Sequence, residues 1–237
     1  MGRLSEFLQN QGFDPEQAPE ERAGFAEPPT DKWLLVQTAR DGAWGAPEVR
    51  LTASGLPLFS CTFRVLGAEK GTDRDAAGSF TRRFTWFLEP YQGEGAAGSP
   101  LQGPFVALLN ALFSSGVGDG IEDGKERAKA RWRNTLTVLE QIAERHGVDP
   151  AQYASPAQLF GALAALALRE QPRTLLMKYR MVSRTRKNAD GSREAVTDDS
   201  GRAILDPRIQ QIKDDTTANR EKLGIEVWIE PDEEIPF

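Results

Sequence analysis

Two stretches of this chain set cations beside flat rings. The first is Arg82-Arg83-Phe84-Thr85-Trp86, with Arg64 on a neighbouring candidate strand. The second is Lys178-Tyr179-Arg180, which runs on through Arg184, Arg186 and Lys187. Cations that follow phosphates and rings on which bases stack are the two requirements for gripping an unpaired nucleic-acid strand. Stacking is worth about 1–3 kcal/mol per base, whatever the base. Such a surface would bind without regard to sequence and weaken as salt rises. Each residue also has a plainer reading. Phe84 and Trp86 fall on one face of their segment, so at least one belongs to a core. Tyr179 stands with Met177 and Met181 in a core-like row. Arg184, Arg186 and Lys187 suit a solvated hairpin, although their clustering with Lys178 and Arg180 favours a binding surface. Trp44, in a loop between two strand candidates, has no evident core role and is the better stacking candidate.

Catalytic chemistry finds little support. His146 is the single histidine and falls at a helix end, where a cation complements the helix dipole. The glycines at 116, 118 and 120 are not followed by the Gly-Lys-Ser/Thr that a phosphate-cradling loop requires. Asp198-Asp199 and Asp214-Asp215 have the chemistry for a divalent ion, but adjacent acids in a polar segment are usually solvated. The basic run Lys125, Arg127, Lys129, Arg131, Arg133 opens a helix, where the dipole disfavours cations. A salt-bridged face is the preferred reading there, with an acidic partner as the alternative. No cofactor is expected, and the chain is expected not to be an enzyme.

The far end of the sequence is unlike the rest. Asp232, Glu233 and Glu234 stand together, Pro231 and Pro236 bracket them, and Ile235 and Phe237 supply apolar side chains. The prolines oppose helix, and adjacent carboxylates keep the peptide hydrated and extended. An aromatic ring among acids on a mobile end suits a basic-rimmed pocket of another protein. A solubilising tail whose Phe237 docks back on its own domain is the equal alternative.

The ending Asp-Glu-Glu-Ile-Pro-Phe resembles the acidic tip of bacterial single-stranded DNA-binding proteins, in which an acidic run is closed by Ile-Pro-Phe. In that family the tip recruits replication, recombination and repair enzymes. The resemblance implies charge from Asp232, Glu233 and Glu234, and a hydrophobic anchor from Ile235, Pro236 and Phe237. It covers six residues. The long Gly/Pro/Gln-rich linker of that family is missing here, since a strand-like segment at 224–229 runs almost directly into the tip. The whole is most similar to the phage and prophage members, which combine a divergent barrel with a host-like tip.

These residues need elements to position them. Segments 33–38, 48–52, 58–66 and 81–88 read as strands. In the third, Phe59, Cys61, Phe63 and Val65 alternate with polar side chains and define one apolar face. The period then becomes helical at 105–113, 125–146 and 156–169, with Gly147 placed to end the second helix. Strand character returns at 174 with one apolar and one increasingly basic face, a hairpin turn follows at 188–191, and 223–229 closes the body as a strand. The segment 193–219 reads as a polar loop or β-ribbon. A mainly β, α+β domain follows: a five-stranded antiparallel barrel of the oligonucleotide-binding type, interrupted by about three helices in an insertion at 101–170. An unrelated α+β fold is the alternative.

With 237 residues, 39% of them hydrophobic and 27% charged, the chain has the composition of a soluble globular protein. The lone Cys61 excludes an intrachain disulfide. No apolar run approaches the ~20 residues that cross a bilayer, and the N-terminus lacks the pattern of a secretory signal, so a cytoplasmic location and no membrane partner are expected. The net charge of −6 conceals a division. Residues 1–30 hold six acids and two bases, and residues 230–237 hold four acids and no base, which leaves the stretch between them at +2. A mildly basic body between acidic ends can bind a polyanion locally. The expected plan is an irregular acidic arm at 1–31, a DNA-binding body at 32–229 and a protein-interaction tip at 230–237. The arm is a candidate for contact with another copy, making a homo-oligomer possible. The expected function is sequence-independent single-stranded DNA binding with recruitment through the tip. The alternative is an adaptor or inhibitor that binds no DNA and captures a host repair enzyme.

Overall fold

The computed structural model describes residues 31–40, 46–53, 55–74, 81–88, 103–188 and 190–231. Apart from Asp31, the arm expected at 1–31 lies outside them, as do Trp44 and residues 232–237. The architecture is α+β, an antiparallel sheet packed against helices.

One strand organises the sheet. β3 (Pro57–Glu69) runs for 13 residues, and its alternation sends Phe59, Cys61, Phe63 and Val65 inward. Its first half pairs with β2 (Glu48–Leu51) and β4 (Thr81–Phe87), and its second half with β1 (Trp33–Thr38) and β9 (Ile225–Val227). Beyond β1 come β5 (Thr174–Ser183) and β8 (Leu205–Asp214), so the main path is β2-β3-β1-β5-β8 with β4 and β9 on the other edge of β3. A two-stranded ribbon, β6 (Thr185–Lys187) with β7 (Arg193–Ala195), projects beyond the end of β5. Where a closed five-stranded barrel was expected, the described residues form a main sheet of seven strands that is not closed.

Three helices lie between β4 and β5. They are α1 (Gly103–Phe113), α2 (Gly124–His146) and α3 (Pro156–Glu170). Asp123 caps α2 by accepting from the Lys125 and Glu126 amides, and Gly147 ends it in the left-handed conformation at φ 60°. Ser155 caps α3, with Pro156 in its first turn. Their apolar faces cover the inward face of the sheet: Phe105 of α1 lies 5.5 Å from Phe59, ring centre to ring centre. Gly161 lets α3 approach β2, since a Cβ there would sit 2.7 Å from Val49 and 2.8 Å from Leu88. A fourth helix, α4 (Thr217–Leu223), was not foreseen.

The sheet is buried on both faces over part of its area. Leu34, Val36, Phe63, Leu175, Met177 and Tyr179 join the helical core. Trp33, Leu35, Leu66 and Leu176 form a second, smaller cluster under Leu223, Ile225, Val227 and Ile229. The outward face of β5 therefore starts apolar at Leu176 and turns basic only from Lys178 onward.

Candidate nucleic-acid interface

The cations on that outward face are set by strand register. Lys178 and Arg180 of β5 oppose Gln211 and Arg208 of β8, and Leu176 opposes Lys213. A bulge between Lys178 and Tyr179 keeps this row in phase. The row thus carries Lys178, Arg180, Arg208 and Lys213 on one face. The Lys213 ammonium lies 4.9 Å from the Trp33 ring centre, a cation–π contact that joins the row to the smaller core. Among the described residues neither Arg180 nor Arg208 has a carboxylate partner.

At its far end the row meets a cleft. β4 and β8 are not paired, yet Phe84 of β4 and Tyr179 of β5 bring their ring centres to 5.8 Å, edge to face. The sheet therefore curls, and an open cleft of about 810 Å³ lies between β4 and the ends of β5 and β8. Arg83, Thr85 and Phe87 line it from β4, with Arg184, Asp206 and Arg208 across from them and Pro104 of α1 at one side.

Of the rings foreseen from the sequence, Phe84 and Trp86 line the wall of this cleft but keep only 4% and 5% of their surface exposed. Phe84, Trp86 and Tyr179, foreseen as stacking platforms, are buried instead: Phe84 and Trp86 pack against each other and against Phe63, and Tyr179 meets Phe84 edge to face. Hydrophobic burial of three large rings outweighs what their faces would gain from bases. The ring that is presented is Phe87, 55% exposed. Alternation along β4 gave the signal, because inward Phe84 and Trp86 imply outward Arg83, Thr85 and Phe87. Arg208 was missed with its strand.

The foreseen cations divide. Arg83 donates to Glu48 at 2.5 Å, and its Nε has no hydrogen-bond partner among the described residues. Arg184 grips Asp206 through two nitrogens, at 2.9 and 2.7 Å, and this hydrogen bonding followed by charge attraction raises its pKa. Arg186 lies 3.8 Å from Glu194 on the exposed ribbon. Arg64 is half-buried and donates to Gln37, and desolvation lowers its pKa. The side chains of Arg82 and Lys187, like Trp44 and the tip residues Asp232, Glu233, Glu234, Ile235, Pro236 and Phe237, lie outside the described set. Gln37 also donates through Nε2 to the Pro231 carbonyl at 2.5 Å, so the segment leading to the tip is tied to the sheet beside Arg64.

No family model, curated protein or solved structure matches the chain.

The other polar groupings have structural partners. Arg131 of α2 pairs with Asp214, Arg220 grips Asp215, and Lys129 pairs with Glu126 at 2.6 Å, which accounts for part of the basic helix run and for both acids at 214–215. Asp198 accepts from the Ser200 amide and hydroxyl and the Arg202 amide, as a turn does. His146 and Arg145 both meet Glu170, at 2.8 and 2.6 Å, and fasten α2 to α3. Among the described residues no helix is long and apolar enough to cross a membrane. The cationic row, the cleft and Phe87 together have the chemistry to take phosphates along β5 and β8 and a base against one ring.

Proposed function

We propose that the protein binds single-stranded DNA without regard to sequence. The strand's phosphates lie along Lys178, Arg180, Arg208 and Lys213, and a base enters the cleft against Phe87. The observation that carries this reading is the Arg180–Arg208 pair, which no carboxylate among the described residues compensates, leading into a cleft that exposes a ring. Like charges placed directly opposite each other cost stability, and an anion bridging them relieves that cost. An unpaired base has an open face for Phe87, whereas a duplex hides its bases in the stack. In this reading β3, shared by two half-sheets that curl together, is the spine of an opened barrel of the oligonucleotide-binding type. The tip recruits replication, recombination or repair proteins, as its resemblance to the bacterial and phage single-stranded DNA-binding proteins implies.

A second reading, an adaptor that holds a repair enzyme by the tip and binds no strand, is favoured by the acids that already pair Arg83, Arg184 and Arg186. Titration with oligo-dT and oligo-rU, followed by tryptophan fluorescence at two salt concentrations, separates the two. Trp86 lines the cleft and acts as reporter. Salt-sensitive quenching supports strand binding, and an unchanged signal at both salts rejects it.

A further inference from the structure

The cleft contains an acid where a polyanion is to bind. Asp206 lines it and offers both carboxylate oxygens to Arg184, Oδ2 to Nε at 2.9 Å and Oδ1 to Nη2 at 2.7 Å. This two-point grip is the geometry in which a guanidinium also takes a phosphate. Both side chains are about half exposed, 52% and 42%, so the pair is open to exchange with solvent anions and adds little to the fold. Asp206 stands two residues before Arg208 on the same face of β8, and Val182 and Arg180 are their respective partners on β5. Asp206 therefore holds Arg184 while standing beside Arg208 on the same face, and Arg208 has no carboxylate partner among the described residues.

We infer that Asp206 is a built-in stand-in for phosphate, which keeps Arg184 extended in its gripping geometry and yields it to a strand entering the cleft. The inference rests on the nucleic-acid reading and concerns how that site is regulated. Exchange of one anion for another leaves the guanidinium satisfied throughout, so Arg184 need not be reordered when the strand arrives. It also sets a threshold. A lone phosphate gains nothing over the carboxylate it displaces, whereas a strand that reaches Arg208 and Phe87 as well gains from contacts Asp206 does not offer. Selection for a polymer over a free nucleotide follows.

The test is a cycle of four full-length proteins: wild type, Asp206→Asn, Arg184→Met and the double variant. Each is titrated with oligo-dT at low salt, after matching unfolding midpoints show that all are folded. Asn keeps the size of Asp206 and one acceptor for Arg184. Asp206→Asn is expected to tighten binding by about two- to fivefold, the scale of an exposed ion pair. Arg184→Met weakens binding, and in its background the Asp206→Asn gain disappears, because nothing remains to be released. An equal gain in both backgrounds would mean that Asp206 only repels the strand, and weaker binding by Asp206→Asn would mean that it only braces Arg184. Either result overturns the exchange while leaving strand binding intact. A wild-type chain that binds no oligo-dT overturns the underlying reading, and the inference with it.

Discussion

Arg180 and Arg208 face each other directly across the β5–β8 ladder, and no carboxylate among the described residues pairs with either. A cross-strand pair of like charges destabilises a sheet by roughly 0.2–1 kcal/mol relative to a neutral pair. Stability and binding should therefore move in opposite directions when the pair is altered. Arg208→Glu places opposite charges across the ladder, so thermal unfolding is expected at an unchanged or higher temperature. Oligo-dT affinity is expected to fall well over tenfold at low salt. Arg208→Ala should lower the slope of log affinity against log salt by about 0.7, one phosphate contact on a single strand. Parallel losses in melting temperature and affinity would show that Arg208 serves the fold instead.

Phe87 and its neighbour Trp86 make the complementary case. Phe87→Ala removes a ring that is more than half exposed and is expected to leave the unfolding midpoint nearly unchanged. It should weaken oligo-dT binding by about 1–3 kcal/mol if one base stacks there. Trp86→Ala opens a cavity beside Phe59, Phe63 and Phe84 and is expected to cost about 3–5 kcal/mol of stability. Denaturant unfolding and fluorescence-independent titration, by anisotropy of a labelled oligomer, measure both. Equal stability losses from the two substitutions would contradict the assignment of inward and outward faces.

That assignment shows what was legible in the sequence. The period of two along β3 and β5, the helical stripes and the helix end at Gly147 were read directly, because local chemistry fixes them. β8 was not. Its apolar residues Ile209 and Ile212 are three apart, since a bulge between them shifts the strand's phase, and Pro207 further masks the pattern. With β8 unread, Arg208 had no partner and the β4–β8 cleft could not be anticipated. The misplaced rings have a different cause. A ring on a strand is equally suited to core or ligand, and only the helices that cover one face decide which. For β4 the helices cover Phe84 and Trp86, not Phe87.

Arg131 and Arg186 test how much an ion pair matters at different depths. Arg131 of α2 reaches Asp214, whose side chain is only 10% exposed, and also donates to the Asn110 carbonyl. Arg131→Ala leaves that carboxylate without its cation, with an expected cost of about 2–4 kcal/mol, toward the lower end of the range for breaking a buried pair. Arg186 and Glu194 are 75% and 63% exposed, and Arg186→Ala should change stability by less than about 0.5 kcal/mol. Urea unfolding of the two variants gives the comparison. Similar midpoints would show that Asp214 finds water or another donor when Arg131 is gone.

The turn at Asp198 has a signed pH dependence. Hydrogen bonds from the Ser200 hydroxyl, then from the Arg202 and Ser200 amides, hold the Asp198 pKa below its ordinary 3.8. A carboxylate whose pKa is depressed by folding stabilises the folded turn above the unfolded value, and that contribution is lost as pH falls through the folded value. The Ser200 and Arg202 amide resonances are therefore expected to move together with a shared midpoint below the ordinary 3.8. Asp198→Asn should abolish the transition. A midpoint at or above 3.8 would show that the carboxylate is not held by those donors.

Gln37 ties the two ends of the functional proposal together. Its Oε1 accepts from Arg64 at 2.9 Å, and its Nε2 donates to the Pro231 carbonyl, the last residue before Asp232, Glu233 and Glu234. Pro231 is thus fixed to the sheet that carries Lys178, Arg180, Arg208 and Lys213 on its outward face. An acidic peptide and a phosphate backbone compete for such a surface, and salt screens the competition. Deleting residues 232–237 is expected to tighten oligo-dT binding severalfold at about 20 mM salt, where the Debye length exceeds 20 Å. The gain should vanish at about 0.5 M, where it is near 4 Å. Gln37→Leu, which frees the Pro231 anchor but keeps the acids, should bring part of the same gain without altering the salt dependence of the unliganded fold. Unchanged affinity on deletion at low salt would show that the acidic end faces away from the strand site, and the tip would then serve partner recruitment alone.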